Sequence, residues 1–144
     1  MLSMTSEYAL RAMAWLAAQP SGRATLGRDL AESAAIPANY LAKILVTLRN
    51  AGLVATVRGA GGGYMLHRQA KDVRLSEIVE LFEGSCLGSG CALNRSRECM
   101  GKNTCTAHDA WAQVRNAYRQ FLDQTTLADI SVHAPGLSSS SSQG

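Results

Sequence analysis

Four cysteines, Cys86, Cys91, Cys99 and Cys105, fall inside one 20-residue window, and His108 follows closely. Their order is Cys86-x4-Cys91-x7-Cys99-x5-Cys105-x2-His108. Zinc sites usually pair cysteines two to four residues apart, and only the first gap here is that short. Spaced single thiols on a loop that also carries Gly84, Gly88, Gly90 and Gly101 suit a larger object approached from several sides. Thiolate is the preferred ligand of such iron–sulfur centres. Spacing therefore ranks a cluster above zinc and leaves both open. Disulfides of a secreted mini-protein are disfavoured, because the first 85 residues contain no cysteine and clustering in a cytosolic chain points to metal or redox chemistry. A thiol pair that closes to a disulfide on oxidation is the cluster-free alternative.

The elements around these thiols follow from hydrophobic period. Residues 84–105 have no sustained period, and a loop of that length needs an organiser other than an apolar core. Before it, Leu75, Ile78, Val79 and Phe82 share one face of a helix over 75–83. After it, Trp111, Val114, Tyr118, Phe121 and Leu122 form an apolar stripe on a helix over 106–125. Such a stripe either completes the monomer's core or is covered by a second copy. A long helix following a loop has little monomer surface to cover it, so a symmetric homodimer is expected.

The first half reads as three helices and a hairpin. Leu10, Met13, Leu16 and Ala17 recur at helical spacing over 6–18, with Ser6 as the cap. Thr25 is placed to cap a short helix in which Leu26 and Leu30 lie one turn apart. After the tight Ala34-Ala35-Ile36 turn, Pro37 opens a third helix with Leu41, Ile44, Leu45 and Leu48 on one face, stopped by Gly52. Leu53–Val57 and Tyr64–His67 are strand-like and flank Gly59-Ala60-Gly61-Gly62-Gly63. Two short helices joined by a tight turn and followed by a hairpin predict a winged helix-turn-helix.

Charge agrees with that assignment. Residues 1–74 carry nine Lys/Arg against four Asp/Glu, a net of +5, whereas residues 75–144 are net −2. A basic front half suits phosphate. The third helix would present Ala38, Asn39, Tyr40 and Lys43 to double-stranded DNA, Asn39 suited to adenine and Tyr40 and Lys43 to phosphate. Arg58 and Arg68 flank the wing. An arginine at a wing tip suits the narrow minor groove, and Gly59, Gly61 and Gly62 let the backbone approach it. A protein-contact role for the same three-helix unit is the alternative. The glycine run lacks a GK[ST] ending and opens no helix, which argues against a nucleotide loop. There are no paired carboxylates or nucleophile triad, so no enzyme is expected. No apolar run approaches the roughly 20 residues of a membrane span. Glu7 and Arg11 interrupt the first apolar stretch, so a cytoplasmic chain is expected.

Several segments together resemble the IscR/NsrR-like winged-helix regulators. These are Thr5-Ser6-Glu7-Tyr8-Ala9-Leu10-Arg11, Leu48–Val54, the wing from Val57 to Leu66, the spaced cysteines, and Thr125-Thr126-Leu127-Ala128-Asp129-Ile130. The likeness covers roughly residues 1–131. It implies a dimer built on the long C-terminal helices, with an iron–sulfur cluster, 2Fe-2S or 4Fe-4S, beside that interface. It also implies control of genes for cluster assembly or for nitric-oxide or oxidative stress. Cys99-x5-Cys105-x2-His108 matches the family's Cys-x5-Cys-x2-His ending. Cys91 would be the first ligand, although its gap to Cys99 is seven residues rather than five. Cys86 and His108 are the two candidates for a fourth ligand. Glu7 stands where some relatives supply a partner carboxylate, but its preferred reading is an acid favoured by a helix N-terminus.

The expected organisation is a DNA-binding domain over 1–74, a sensor loop and dimerisation helix over 75–131, and a disordered Ser-rich tail over 132–144. The expected function is a transcription regulator, acting as a repressor, whose operator affinity depends on the cluster. An iron–sulfur electron-transfer protein is the rival from another class, and it would have no use for a wing.

Overall fold

The computed structural model describes residues 3–20, 22–83 and 108–130. The chain runs through α1 (Met4–Ala17), α2 (Gly27–Ser33), α3 (Ala38–Asn50), β1 (Val54–Val57), β2 (Gly63–Leu66), α4 (Leu75–Glu83) and α5 (His108–Gln124). Single 3-10 turns lie at Ala70–Asp72 and Leu127–Asp129. Cys86, Cys91, Cys99, Cys105 and the tail lie outside the described residues. The architecture is mainly helical with one antiparallel hairpin, registered Val54 to Leu66 and Val57 to Gly63. No described helix is long and apolar enough to cross a membrane.

Two caps differ from expectation. Ser3, not Ser6, caps α1, its Oγ accepting the Ser6 N–H at 3.2 Å. Ser6 is buried inside the first turn and donates its hydroxyl to Glu83 at 2.8 Å. The same carboxylate oxygen accepts the Ser3 N–H at 2.7 Å. The end of α4 thus closes the start of α1, a tertiary partnership that leaves Ser6 no capping role. Thr25 does not cap α2 either. Its backbone is taken by β2, with Thr25 N–H donating to the Tyr64 carbonyl at 2.8 Å and Tyr64 N–H donating back at 2.7 Å. Leu26 holds the cap position without a side-chain bond, and is 45% exposed rather than paired with Leu30.

The core is built as the spacing of apolar residues requires. Leu41, Ile44, Leu45 and Leu48 of α3 are all buried, in one cluster with Met13, Leu30, Ile78, Val79, Leu122 and Leu127. Each such side chain contributes about 1.5–3 kcal/mol of burial. Gly52, at φ +78°, ends α3 as expected. Gly52 N–H donates to the Arg49 carbonyl and Leu53 N–H to the Leu48 carbonyl, both at 3.0 Å, the paired bonds of a Schellman ending.

The apolar stripe of α5 divides in two. Leu122 is buried, and Trp111 and Tyr118 are half-buried. Val114 and Phe121 remain 50% and 49% exposed. With the exposed Ala110 and Ala117 they recur at four, three and four residues, the spacing of a coiled-coil seam. At 17 residues α5 is nearly twice as long as α4 (nine residues), the helix it packs against. One face of it is left without cover by the described residues.

Candidate nucleic-acid interface and sensor loop

Burial of one α3 face turns the other outward, and Ala38, Asn39, Tyr40 and Lys43 are all exposed there. The start of α3 is braced from α1. The Tyr40 ring meets the Tyr8 ring edge-on at 6.0 Å, and the Arg11 guanidinium lies 5.4 Å from the Tyr8 centroid. Arg11 Nη1 also donates to the carbonyls of Ala34 and Ala35 at 3.3 and 3.1 Å. That turn between α2 and α3 holds Ala35 at φ +56°, a left-handed conformation usually reserved for glycine. Glu7 is the i−4 ion-pair partner of Arg11 at 3.2 Å.

The wing carries Arg58, Gly59 and Gly61 at its exposed tip. Gly59 and Gly61 have φ of +95° and +77°, and Gly62 N–H closes the loop onto the Gly59 carbonyl at 2.9 Å. Gly62 is buried, and a Cβ there would run into the Val57 carbonyl. At Gly63, φ +143°, a Cβ would run into the Thr25 carbonyl. The glycines therefore serve first to fold the tip and to seat the hairpin on the strand-like segment at Thr25.

Arg68 is spoken for. It donates to Glu77 Oε1 at 2.8 Å and to the Asp72 carbonyl at 2.6 Å, tying the base of the hairpin to α4. Partial burial alone would push the Glu77 carboxyl up. The Arg68 bond, the Arg74 N–H and both guanidinium charges outweigh that and hold its pKa below 4.5. By contrast, Lys43, Arg49 and Arg58 are exposed and lack an ion pair among the described residues. With Arg23, Arg28, Lys71 and Arg74, which are likewise exposed and without an ion pair among the described residues, they are the positive charges this part of the chain leaves open to a polyanion.

The cysteine segment leaves from Glu83 and returns at His108, the first residue of α5. Its two flanking helices pack against each other. Among the described residues, no group of three or more His, Cys, Asp or Glu could hold a metal ion. Tyr118 of α5 has its phenol pushed up by burial and by the charge of Glu83. Glu83 therefore stands where α1, α4 and α5 converge. Sequence reasoning missed Glu83, Tyr8, Arg11, Thr25 and Tyr64 as positioning residues. Each acts through a long-range partner that no periodic pattern records.

A buried-faced helix presented after a tight turn, with a two-stranded hairpin directly behind it, defines a winged helix-turn-helix DNA-binding protein. The profile of the Rrf2 family, iron-dependent transcriptional regulators, matches residues 2–133, and the chain belongs to that family. It is 34% identical over 129 residues to the HTH-type transcriptional regulator Rv1287 of Mycobacterium tuberculosis, covering 90% of this chain and 80% of that one. Among solved structures it resembles CymR, the global cysteine regulator of B. subtilis, with a TM-score of 0.75 and 29% identity over 91% of this chain and 95% of that one. It also resembles T. potens IscR, with a TM-score of 0.69 and 29% identity over 90% and 84%. These relatives are transcription regulators, not enzymes.

Proposed function

We propose that this chain is a cytoplasmic, homodimeric repressor whose operator affinity is set by an iron–sulfur cluster on the loop between α4 and α5. The observation that carries the reading is the placement of every cysteine in the one segment between the helix that closes α1 and the helix whose seam is exposed among the described residues. The donor chemistry fits, with four thiols and one imidazole. Cys91, Cys99 and Cys105 would hold the group, with Cys86 or His108 as the fourth ligand. When bound, it would supply iron–sulfur redox and ligand-exchange chemistry open to nitric oxide, oxygen or iron loss.

The chain's own residues then do the rest. Ala38, Asn39, Tyr40 and Lys43 face the major groove, and Arg58 with Gly59 and Gly61 meets the backbone and minor groove, whereas Gly62, buried behind the tip, shapes the loop instead of touching DNA. The seam of Ala110, Val114, Ala117 and Phe121 pairs two copies, so that two recognition helices meet half-sites about 34 Å apart. A change in the cysteine segment would be felt at its neighbour Glu83, which holds the start of α1, and α1 holds the turn before α3 through Arg11 and Tyr40 through Tyr8. A bias of about 1–3 kcal/mol between two dimer geometries changes affinity 5–150-fold.

Anaerobic reconstitution tests this. Coloured protein with iron and acid-labile sulfide is expected, and serial replacement of Cys86, Cys91, Cys99, Cys105 and His108 should separate ligands from bystanders. Colourless protein with stoichiometric zinc would end the cluster reading. The likeness to Staphylococcus aureus CymR, whose structure is also known in an oxidized form, favours one second reading, a cluster-free switch in which two of the cysteines form a disulfide. Mass spectrometry after mild oxidation identifies that pair.

A further inference from the structure

We infer that Val46 and Ala42 read thymine methyl groups, giving α3 an apolar base-reading shelf beyond its hydrogen-bonding residues. The inference rests on the DNA-binding reading and deepens it. Asn39, Ala42, Lys43 and Val46 recur at three, four and seven residues along α3. All four are exposed, opposite the buried Leu41, Ile44, Leu45 and Leu48.

Val46 is the anomaly on this face. It is 49% exposed, so it adds little to the monomer's core, and valine is a poorer helix former than alanine or lysine. Its χ1 is nearly fixed in a helix, so its two methyls are held in place with little entropy left to lose on contact. A rigid apolar surface one turn beyond Ala42 has an obvious counterpart in the major groove. There the thymine C5 methyl is the one apolar group among hydrogen-bond donors and acceptors.

Charge decides between DNA and an apolar protein partner. Lys43 adjoins Ala42 on the same face, Arg49 follows one turn after Val46, and Arg58 lies at the wing tip. None of the three has an ion pair among the described residues. From Ala38 to Val46 is eight helical rises, about 12 Å, close to the groove's width of about 12 Å. Asn39 would pair with adenine near one wall, and Ala42 and Val46 would pack on methyls farther in.

The test begins with an operator selected from random duplex DNA by the full-length protein. Each thymine is then replaced singly by deoxyuridine, which lacks only the methyl. At one or two positions per half-site, wild-type affinity should fall about 4-fold, the effect of one buried methyl. V46A should lose that sensitivity at one position while N39A keeps it there. A deoxyuridine profile that is flat, or identical in wild type and V46A, overturns the shelf while leaving DNA binding intact. A protein-docking role for Val46 would give that second result. Failure of the wild type to retain any sequence would overturn the DNA-binding reading itself, and the shelf with it.

Discussion

Arg11, in the second turn of α1, donates to the carbonyl of Ala35 at 3.1 Å, and Ala35 is the non-glycine residue with positive φ among the described residues. Ala35 N–H bonds to the Glu32 carbonyl at 3.3 Å and Ile36 N–H to the Ala31 carbonyl at 2.9 Å. Together these bonds make a Schellman ending with alanine in the glycine place. The left-handed conformation costs alanine about 1–2 kcal/mol. A guanidinium on the adjacent carbonyls offsets part of that cost and fixes how α3 leaves the turn.

Opposite signs are expected from two substitutions at this contact. A35G removes the strain but adds unfolded-state entropy, for a net gain of up to about 1 kcal/mol. R11A removes charge-assisted bonds from a partly exposed site and should cost about 1 kcal/mol. It should also weaken operator binding through misplacement of Tyr40. Thermal denaturation gives the signs, and destabilisation by A35G would show that the turn is not strained.

The wing offers a ranking. G59A meets no atom within 4 Å and pays only for its φ of +95°. G63A adds a collision with the Thr25 carbonyl to a φ of +143°, so it should cost about 1–3 kcal/mol more through forced backbone shifts. It should also detach the hairpin from Thr25, with operator binding falling in parallel. Urea melts of the two variants decide this, and equal stabilities would mean that the wing is not seated on Thr25.

Much of this fold was legible from apolar spacing. The α3 face, the Gly52 stop, the hairpin and α4 follow from local pattern; burial bears out the two helical faces, and backbone geometry and pairing bear out the stop and the hairpin. What the pattern could not convey was competition for backbone and caps. Ser6 and Thr25 carry the right side chains for caps, but Glu83 claims one and the Tyr64 backbone the other. Arg68 looks like a phosphate ligand beside the wing until Glu77, nine residues on, is seen to hold it. The α5 stripe read as one surface because Trp111, Val114, Tyr118, Phe121 and Leu122 share a helical side. Only packing separates the residues on α4 from those left outside.

The Arg68–Glu77 pair makes stability pH-dependent with a definite sign. The Glu77 pKa is lower in the folded chain than its ordinary 4.5. Its contribution is therefore present above the unfolded value and is lost as pH falls through the lower, folded one. Wild type should exceed E77Q at neutral pH, and the gap should close on acidification below 4.5. The pair is about two-fifths exposed, so solvent screening keeps the gap under about 1 kcal/mol. A gap that widens on acidification would contradict the assignment.

Phe121 tests the seam. F121E places a carboxylate among Val114 and the alanines, in a position open to solvent in the monomer. The monomer should fold with unchanged helicity, while self-association weakens by about 100-fold or more through desolvation of the charge. Sedimentation reads the association and circular dichroism the fold. A fully dimeric F121E would place the dimer interface elsewhere.

Glu83 is where loop and recognition helix should be separable by mutation. Its carboxylate holds Ser3 N–H and Ser6 Oγ at 2.7 and 2.8 Å and faces Tyr118 across the junction. E83A leaves the start of α1 without this acceptor and should cost about 1–3 kcal/mol. E83Q, which retains an acceptor oxygen, should cost less. The informative readout is operator affinity measured with the cysteine loop in its two redox states. In wild type the two affinities should differ within the 5–150-fold range of a coupled pair of sites, and in E83A they should converge while both variants remain folded. If E83A is destabilised yet keeps the full wild-type ratio, the signal does not travel through α1, and coupling must run through the α5 seam alone.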